Sequence, residues 1–426
     1  MKTYIFIIRR ICDITGAEQY TYNKMKFLER LGWRVLIFSS MRGTIIIDEF
    51  RKYEKLIYPA LYFCPKYFRK KEVRHTINRI LQVIDANQKD NCIIESDSLP
   101  RAIWGEMIAS RLNCRHLFIS VQEQHDYYPD VRLFLRFKYD RHELCGISSG
   151  VIRQMLGDDS IEERVDSRAF LYCDNVIQNC ADTYSEMINN HFDYILGSFG
   201  RIDKPCVPAI IDGFYNFARQ NPKRQILIIM IGGYKRKGEE KRVRNKFTDI
   251  DNVVLLFTGN IYPVPISFVK KFNVFVSTAG AANATFLVGI PTIKVEPNKG
   301  KPIGIIGLDY DYPEKSLYKP LTNLSIEECI TRAINDKDSI VFNRTIGEDY
   351  NKRMFDEFER QLSFVNGVKN KEYYNETLLL KFKKKSRHSH FFKLFFFHLF
   401  GQDGIKNFSM IKKRLFKPIA SIVNNT

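Results

Sequence analysis

The chain has 426 residues, too many for one ordinary hydrophobic core, so two domains are expected. Hydrophobic residues make up 45% of the chain, with 33 Phe and 22 Tyr, which is enough to bury substantial cores. The formal charge of +18 favours an anionic partner, such as nucleic acid, a membrane surface or a phosphorylated substrate.

The cysteines and the N-terminus exclude several classes of protein. The nine cysteines are an odd number and no two have Cys-x-x-Cys spacing, so neither a zinc site nor a disulfide framework is expected. A reducing cytoplasm fits this usage best. Arg9 and Arg10 interrupt the apolar run of MKTYIFIIRR, so no signal peptide is predicted. No stretch approaches the roughly 20 apolar residues of a membrane-spanning helix.

The first half of the chain alternates strands and helices. Residues 4–8 predict a strand, residues 14–33 a helix that ends at Gly32, and residues 35–38 the next strand. A strand, helix and strand in this order imply a right-handed crossover and a parallel sheet. Further along, the pattern predicts strands at 92–95 and 116–121 and a helix at 101–112.

The same alternation returns in the second half. Gly200-Arg201 forms a turn after the first strand, and Gly232-Gly233 and Thr258-Gly259 end two later strands. The chain is therefore predicted to hold two α/β halves joined near residues 180–195. The predicted elements are strands at 194–197, 225–231, 253–257 and 292–295, and helices at 207–220, 266–271 and 347–364.

Residues 274–293, VFVSTAGAANATFLVGIPTI, are unusual for their lack of bulk. Residues 274–276 predict a buried strand and 286–288 a short helix, whereas 277–283 between them carry almost no side chain. Small residues allow close packing of a strand and a helix. They also allow backbone N–H groups to approach a phosphate. On the second interpretation residues 278–283 cradle a diphosphate, and the hydroxyls of Ser277 and Thr278 are additional donors.

Two segments are both basic and aromatic. Residues 50–75 contain eight Lys or Arg and seven aromatic residues, and 381–417 carry eleven Lys or Arg against the single Asp403. Within the second segment, residues 391–400 read FFKLFFFHLF, too short to cross a bilayer and too apolar for a solvated tail. A membrane surface, another domain and nucleic acid remain open as partners. The membrane surface is favoured because it would use both the charges and the Phe and Leu side chains.

Three motifs, at residues 15–18, at 200–204 and at 257–259 with 274–291, resemble those of the GT-B glycosyltransferases, especially the large retaining glycosyltransferase family 4 (group 1). Thr15-Gly16-Ala17-Glu18 is similar to the Gly-Gly-Ala-Glu that opens the first helix in that family. Residues 200–204, Gly-Arg-Ile-Asp-Lys, resemble its Gly-Arg and Lys at the start of the second domain. Phe257-Thr258-Gly259 and residues 274–291 resemble its Phe-x-Gly, strand, small-residue loop, helix and Gly-x-Pro.

This resemblance covers about residues 1–365. It implies an α/β fold of two Rossmann-like domains facing a central cleft (GT-B), followed here by a basic C-terminal helical tail. The family usually has two glutamates eight positions apart around the last loop. Here these positions fall near Val276 and Ala284, neither of which is acidic, and Asn283 is the nearest polar residue. The paired-glutamate motif is therefore missing, which leaves the anomeric outcome open.

The resemblance also implies roles for individual residues. Arg201 and Lys204 would bind the donor diphosphate in place of a metal ion, His125 and Glu123 would be catalytic, and Glu296 would meet the ribose. A solvated loop or turn would also explain each of these side chains. The full set of predicted binding residues is Gly16, Ala17, Arg201, Lys204, Ser277, Thr278, Gly280, Ala281, Asn283 and Glu296. Glu18 is expected to cap the first helix.

Three Asp-x-Asp triplets, at 249–251, 309–311 and 336–338, are interpreted as solvated turns, so neither a metal nor another cofactor is expected. The predicted domains are an acceptor-side domain at 1–190, a nucleotide-sugar domain at 191–345, a crossing helix at 346–365 and a tail at 366–426.

The sequence thus predicts a glycosyltransferase that moves a sugar from a nucleotide-diphosphate sugar to a lipid-linked glycan acceptor. It would serve surface polysaccharide or lipopolysaccharide biosynthesis, in the cytoplasm and peripheral on the inner face of the membrane, without a nucleic-acid partner. A catalytically inactive scaffold, which the missing glutamates favour, and a nucleotide-sugar epimerase are the alternatives.

Overall fold

The computed structural model describes most of the chain. Glu123 and His125, the predicted catalytic residues, and most of the basic tail lie outside the residues that it describes. Those residues are 2–12, 14–84, 92–120, 127–147, 149–161, 164–172, 177–188, 192–234, 238–311, 320–342, 345–367, 371–382 and 394–401.

Strands and helices alternate along the chain, as predicted. In chain order they are β1 (Thr3–Arg10), α1 (Gly16–Arg30), β2 (Arg34–Met41), α2 (Lys70–Ile84), β3 (Cys92–Ser96), α3 (Leu99–Leu112), β4 (Arg115–Ser120), α4 (Pro129–Asp140), β5 (Leu144–Gly146), α5 (Ser149–Leu156), β6 (Ile177–Gln178), β7 (Tyr194–Phe199), α6 (Val207–Gln220), β8 (Ile226–Ile231), α7 (Glu239–Lys246), β9 (Val253–Gly259), β10 (Val264–Pro265), α8 (Ile266–Val269), β11 (Val274–Ser277), α9 (Ala279–Leu287), β12 (Thr292–Val295), β13 (Pro302–Ile305), α10 (Ile326–Asn335), α11 (Thr345–Asn366) and α12 (Glu376–Leu379). The chain divides into two compact units, Met1–Tyr172 with Met354–Thr426, and Cys173–Arg353.

The first unit is built on a parallel sheet in the order β2-β1-β3-β4-β5. Helix α3 covers one face and buries Trp104 and Ile108 in the core. Gly105 lets this helix approach closely, because a Cβ there would lie 2.5 Å from Nε2 of His116 and 2.6 Å from Oγ of Ser96. Strands β1 and β3 pair in parallel, so their carboxyl ends lie side by side at one edge of the sheet.

The second unit is built on a sheet in the order β13-β12-β11-β7-β8-β9, parallel except for β13. Strand β8, ILIIMI, is buried along its whole length. Ile228 and Met230 face one core cluster, whereas Leu227 and Ile229 face the other. A continuous apolar run is what a parallel strand covered on both faces requires.

The start of α9 differs from the prediction. The small residues after β11 do not form a loop, because α9 already begins at Ala279, seven residues before the predicted helix at 286–288. Ala281, Ala282 and Ala284 are buried in this helix, and alanine is the best helix former. The small residues of α9 therefore fit both interpretations: they allow close packing against the sheet, and they leave the helix N-terminus without large side chains.

The chain that follows α11 belongs to the first unit, as does α11 from Met354 onward. Leu379 and Phe382 are buried in its core, and the ring of Tyr374 lies 5.4 Å from that of Phe134. The hydroxyl of Tyr373 donates to the carbonyl oxygen of Cys114 (3.1 Å). Residues 371–382 are therefore part of the folded unit rather than of the predicted tail. Within the described ranges, none of the helices has the length and apolar character needed to span a membrane.

Candidate functional site

The candidate site lies at the carboxyl ends of the strands in the second unit. From β7 the chain proceeds to β8 and β9 on one side of the sheet, and then to β11 and β12 on the other. The winding therefore reverses between β7 and β11, and α/β sheets bind ligands outside the carboxyl ends at such a reversal. The segments that follow these two strands are residues 200–204 and 278–280.

Two glycines let the backbone cross closely at this edge. Gly200 and Gly232 have φ of +131° and +138°, and a Cβ on Gly232 would lie 2.3 Å from the carbonyl oxygen of Gly200. The next residue, Gly233, accepts from the backbone N–H of Ile202 (3.1 Å) and donates to Oδ1 of Asn260 (2.8 Å). The turn after β7 is thereby held against the end of β8.

Helix α9 begins at the carboxyl end of β11 with Thr278 as its N-cap. The Thr278 side chain is buried, and its Oγ1 has no hydrogen-bond partner among the residues that the structure describes. Ala279 has φ of +50°, a left-handed conformation that costs a non-glycine residue about 1–2 kcal/mol. Such strain and an unpartnered buried hydroxyl are typical of functional sites. The N–H groups of a helix N-terminus attract an anion.

The other small residues contribute differently from the prediction. The hydroxyl of Ser277 donates to the carbonyl oxygen of Phe199 (2.7 Å), so its proton joins β11 to β7 and is not free for a phosphate. Ala281 is buried within α9, whereas Gly280 is partly exposed in the first turn. Oδ1 of Asn283 is buried and likewise unpartnered within the described part of the chain.

The predicted cations lie at the end of β7. Nη1 of Arg201 is 3.6 Å from Oδ1 of Asp203, and a third of the Arg201 side chain is exposed. Nζ of Lys204 lies 2.9 Å from the point where a Cβ on Gly200 would be. Because Ser277 ties the end of β7 to the end of β11, both cations lie on the same edge as the N-terminus of α9.

Glu296 lies directly after β12 on this edge. Its backbone N–H donates to the carbonyl oxygen of Lys301 (2.8 Å), which closes a tight loop. Burial raises the pKa of the Cys206 thiol; the charge of Lys204 lowers it and the charge of Glu296 raises it. Glu296 thus follows β12 at the same edge of the sheet at which Arg201 and Lys204 follow β7.

In the first unit, Gly16 and Ala17 open α1 at the carboxyl end of β1. The predicted capping role of Glu18 is confirmed, because its Oε2 accepts from the backbone N–H of Thr15 (2.9 Å). Its other oxygen is 2.6 Å from Nε of Arg10. The reversal of this sheet lies between β1 and β3, so Gly16 is placed at the corresponding edge of the first unit.

The first unit also contains a serine, a histidine and a glutamate in hydrogen-bonded sequence. Oγ of Ser96 is 3.0 Å from Nε2 of His116, and Nδ1 of His116 is 2.9 Å from Oε2 of Glu106. All three side chains are buried under α3, and Nζ of Lys138 lies 2.7 Å from Glu106. This group has the spacing of a nucleophilic triad but is closed to substrates, so it is part of the core.

The Asp-x-Asp triplets are not all solvated turns. Asp309 is partly buried and pairs with Arg332 (2.5 Å), which corrects the prediction for this triplet. Asp249 is exposed and accepts from the Tyr215 hydroxyl (2.7 Å). Among the described residues, His, Cys, Asp and Glu side chains form no group that could hold a metal ion.

Gly232 and Asn260 belong to this edge but were not predicted as site residues. The signal for Gly232 was present, because a glycine pair directly after a buried strand indicates a close backbone approach. The amide of Asn260 had no signal, since its contact with Gly233 joins two loops 27 residues apart.

No protein-family model and no curated protein matches the chain. Solved structures do match it. Anabaena HepE, in complex with UDP and glucose, has a TM-score of 0.55 at 12% identity, over 86% of this chain and 99% of that one. A glycosyltransferase from Rickettsia africae has a TM-score of 0.52 at 15% identity, over 98% of this chain and 100% of that one. The apo lipopolysaccharide outer core galactosyltransferase WaaB has a TM-score of 0.50 at 14% identity, over 86% and 99%.

At these identities the likeness concerns the fold. The chain has the α/β fold of GT-B glycosyltransferases, with a Rossmann-like sheet in each of its two units. This confirms the predicted fold class.

Proposed function

We propose that the protein is a glycosyltransferase that uses a nucleotide-diphosphate sugar as its donor. The observation that carries the proposal is the edge of the second sheet between β7 and β11. This edge holds the Thr278 hydroxyl, which has no hydrogen-bond partner in the described part of the chain, the N-terminus of α9 and the partly exposed Arg201. HepE, which has this fold, was crystallised with UDP-glucose, and its likeness supports this choice of donor class.

In the proposed reaction the bond from the sugar C1 to the diphosphate oxygen breaks and a bond from C1 to an acceptor hydroxyl oxygen forms. The acceptor proton passes to the leaving diphosphate. Negative charge grows on the leaving oxygen, so donors fixed in advance stabilise the transition state most. Arg201, Lys204 and the first N–H groups of α9 are the groups proposed for this task, without a metal ion. We further propose that the sugar is transferred with retention.

The acceptor is proposed to be a lipid-linked glycan that binds to the first unit. Gly16 and Ala17 at the edge between β1 and β3, and the basic aromatic residues 50–75, would receive it. Synthesis of a surface polysaccharide or lipopolysaccharide fits an acceptor of this kind. WaaB, of the same fold, is a lipopolysaccharide galactosyltransferase.

The test is incubation of the purified protein with a panel of UDP-, GDP- and dTDP-sugars, with and without EDTA. We expect slow release of one nucleoside diphosphate by hydrolysis, unchanged by EDTA. The anomeric configuration of the released sugar reports retention or inversion. If the protein binds a donor but releases nothing, the enzyme proposal fails.

A catalytically inactive scaffold is the second candidate. The glutamates of family 4 would fall near Val276 and Ala284, and both of these residues are buried. If the protein binds and hydrolyses none of the donors in the panel, this candidate is favoured. A change in the sugar of an intact nucleotide sugar would instead indicate an epimerase.

A further inference from the structure

The core of the first unit includes side chains close to the C-terminal tail in the sequence. Phe382 is buried among core residues, and Lys66 hydrogen-bonds to its carbonyl oxygen. Leu379, three residues earlier, is also buried. Phe382 is therefore held beside the basic aromatic residues 50–75.

Residues 394–401 are helical and pack against this same aromatic segment. The ring of Phe397 lies 5.2 Å from that of Phe63 and 6.0 Å from that of Phe68. The ring of His398 lies 5.8 Å from Phe68. One side of the helical residues is thus attached to the folded unit.

The other side is apolar and exposed. Phe395, Leu399 and Phe400 are 50%, 57% and 60% exposed. Three large apolar side chains within six residues form a patch that a soluble surface would not maintain without a partner. We call these three residues the apolar face.

Basic residues lie close in the sequence to both partners of this packing. Arg69, Lys70 and Lys71 follow Phe68 directly and are exposed. In the sequence, residues 381–402 contain six Lys or Arg and no Asp or Glu. An anionic lipid bilayer matches both features, whereas a second copy of the chain would bring two basic surfaces together. Nucleic acid would use the charges but would leave Leu399 without a role.

We propose that the apolar face inserts into the interface of an anionic membrane, with Arg69, Lys70 and Lys71 on the lipid headgroups. The helical residues would lie in the plane of the bilayer, as amphipathic helices with a basic border do. The proposal does not depend on sugar transfer. It assigns the membrane contact to named residues outside the edge proposed to bind the donor.

The test is co-sedimentation of the full-length protein with phosphatidylcholine vesicles, with and without phosphatidylglycerol. The variant Phe395→Ser/Leu399→Ser/Phe400→Ser should bind the mixed vesicles about tenfold or more weakly than the wild type. A matched control changes three exposed apolar side chains elsewhere in the same unit, Leu31→Ser/Leu133→Ser/Phe170→Ser, and should bind normally. Circular dichroism and UDP-glucose binding show that each variant is folded.

The charges are tested separately with Arg69→Gln/Lys70→Gln/Lys71→Gln. This variant should lose roughly fivefold in affinity per removed charge for mixed vesicles, and added salt should weaken the wild type in the same way. Two results would overturn the proposal. The first is that the apolar-face variant binds mixed vesicles as tightly as the wild type, and the second is that the wild type self-associates through this face and does not bind vesicles. Either result leaves the donor-binding proposal untouched.

Discussion

The ammonium nitrogen of Lys24 lies 2.5 Å from Oε2 of Glu95, and both side chains are buried in the first unit. The same ammonium donates to Oε1 of Gln361 in α11 (2.6 Å). The Tyr20 hydroxyl oxygen lies 3.1 Å from Oε1 of Glu95 and 3.0 Å from Oε1 of Gln361, within hydrogen-bond distance of each. Burial, followed by the charge of Glu95, raises the pKa of Tyr20 well above its usual value, so the phenol stays a donor. Glu95 and Gln361, which are 71 and 337 positions from Lys24 in the sequence, are thereby joined to it in one buried network.

Lys24→Met should destabilise the first unit by about 3–5 kcal/mol, because it leaves the Glu95 carboxylate buried without its cation. Adding Glu95→Gln should restore part of the loss. The matched control is Lys52→Met, since Lys52 pairs with Glu29 at the surface and should contribute no more than about 1 kcal/mol. Urea denaturation followed by circular dichroism measures all three. Equal midpoints for Lys24→Met and the wild type would contradict the role of the network.

Acid should unfold the first unit through Glu106 and His116. Burial alone would raise the pKa of Glu106, but Lys138 and His116 outweigh it and lower this pKa to about 2. Burial, and then Lys138, lower the pKa of His116. Both groups bind protons more readily when unfolded. Stability should therefore fall as the pH drops below 6.5, where unfolded histidine is protonated, and again between pH 4.5 and about 2.

Thermal melts across this range measure that effect. Glu106→Gln should remove the step between pH 4.5 and 2, at the cost of lower stability near pH 7, because a neutral amide pairs less well with Lys138. A variant whose melting temperature falls with pH as steeply as that of the wild type would show that other groups govern the acid transition.

Thr278→Val should change stability and ligand binding in opposite directions. The buried hydroxyl lacks a partner within the described residues, so replacing it with a methyl group should stabilise the free protein by about 1 kcal/mol. If the hydroxyl binds the donor diphosphate, the same change should reduce the stabilisation by UDP-glucose. The control in the same helix is Thr285→Val, because the Thr285 hydroxyl is hydrogen-bonded and its loss should destabilise. A Thr278 variant with unchanged UDP-glucose response would remove this residue from the site.

Arg201→Ala should weaken UDP-glucose binding by about tenfold to a hundredfold, the effect of losing a charge-assisted hydrogen bond. The fold should be intact, since its ion pair with Asp203 is long and partly exposed. Arg242→Ala, which removes an exposed arginine of the same unit, is the control. Calorimetric titration with UDP and UDP-glucose compares the three proteins. Unchanged affinity in Arg201→Ala would exclude the end of β7 as the diphosphate site.

Much of the fold follows from apolar runs between glycines. The helix predicted at 207–220 has the bounds of α6, and the run before Gly232-Gly233 is β8 but for one residue. Both elements are specified locally, by helical spacing in one case and by a strand buried on two faces in the other. The position of residues 200–204 and 278–280 at strand ends was predictable for the same reason.

The remaining features depend on contacts between distant residues. Ser277 was predicted as a phosphate donor, but the carbonyl oxygen that takes its proton belongs to Phe199, 78 positions earlier. Lys24 in an amphipathic helix resembles a solvated residue until Glu95 and Gln361 are placed beside it. Such pairings are decided by tertiary packing, which a local pattern does not contain.

The C-terminal segment gives a prediction that separates core from tail. The sequence places the start of the tail at residue 366, because the basic composition beyond this residue outweighs the few apolar side chains that belong to the core. Leu379 and Phe382 are buried, and each contributes about 1.5–3 kcal/mol by burial. A chain ending at residue 366 should therefore melt at a clearly lower temperature than the wild type.

A chain ending at residue 383 should keep the melting temperature but lose binding to anionic vesicles, because it lacks the apolar face. Calorimetric melts and vesicle co-sedimentation of the two chains decide the matter. If both chains melt like the wild type, residues 371–382 do not stabilise the first unit and the tail begins where the sequence predicts.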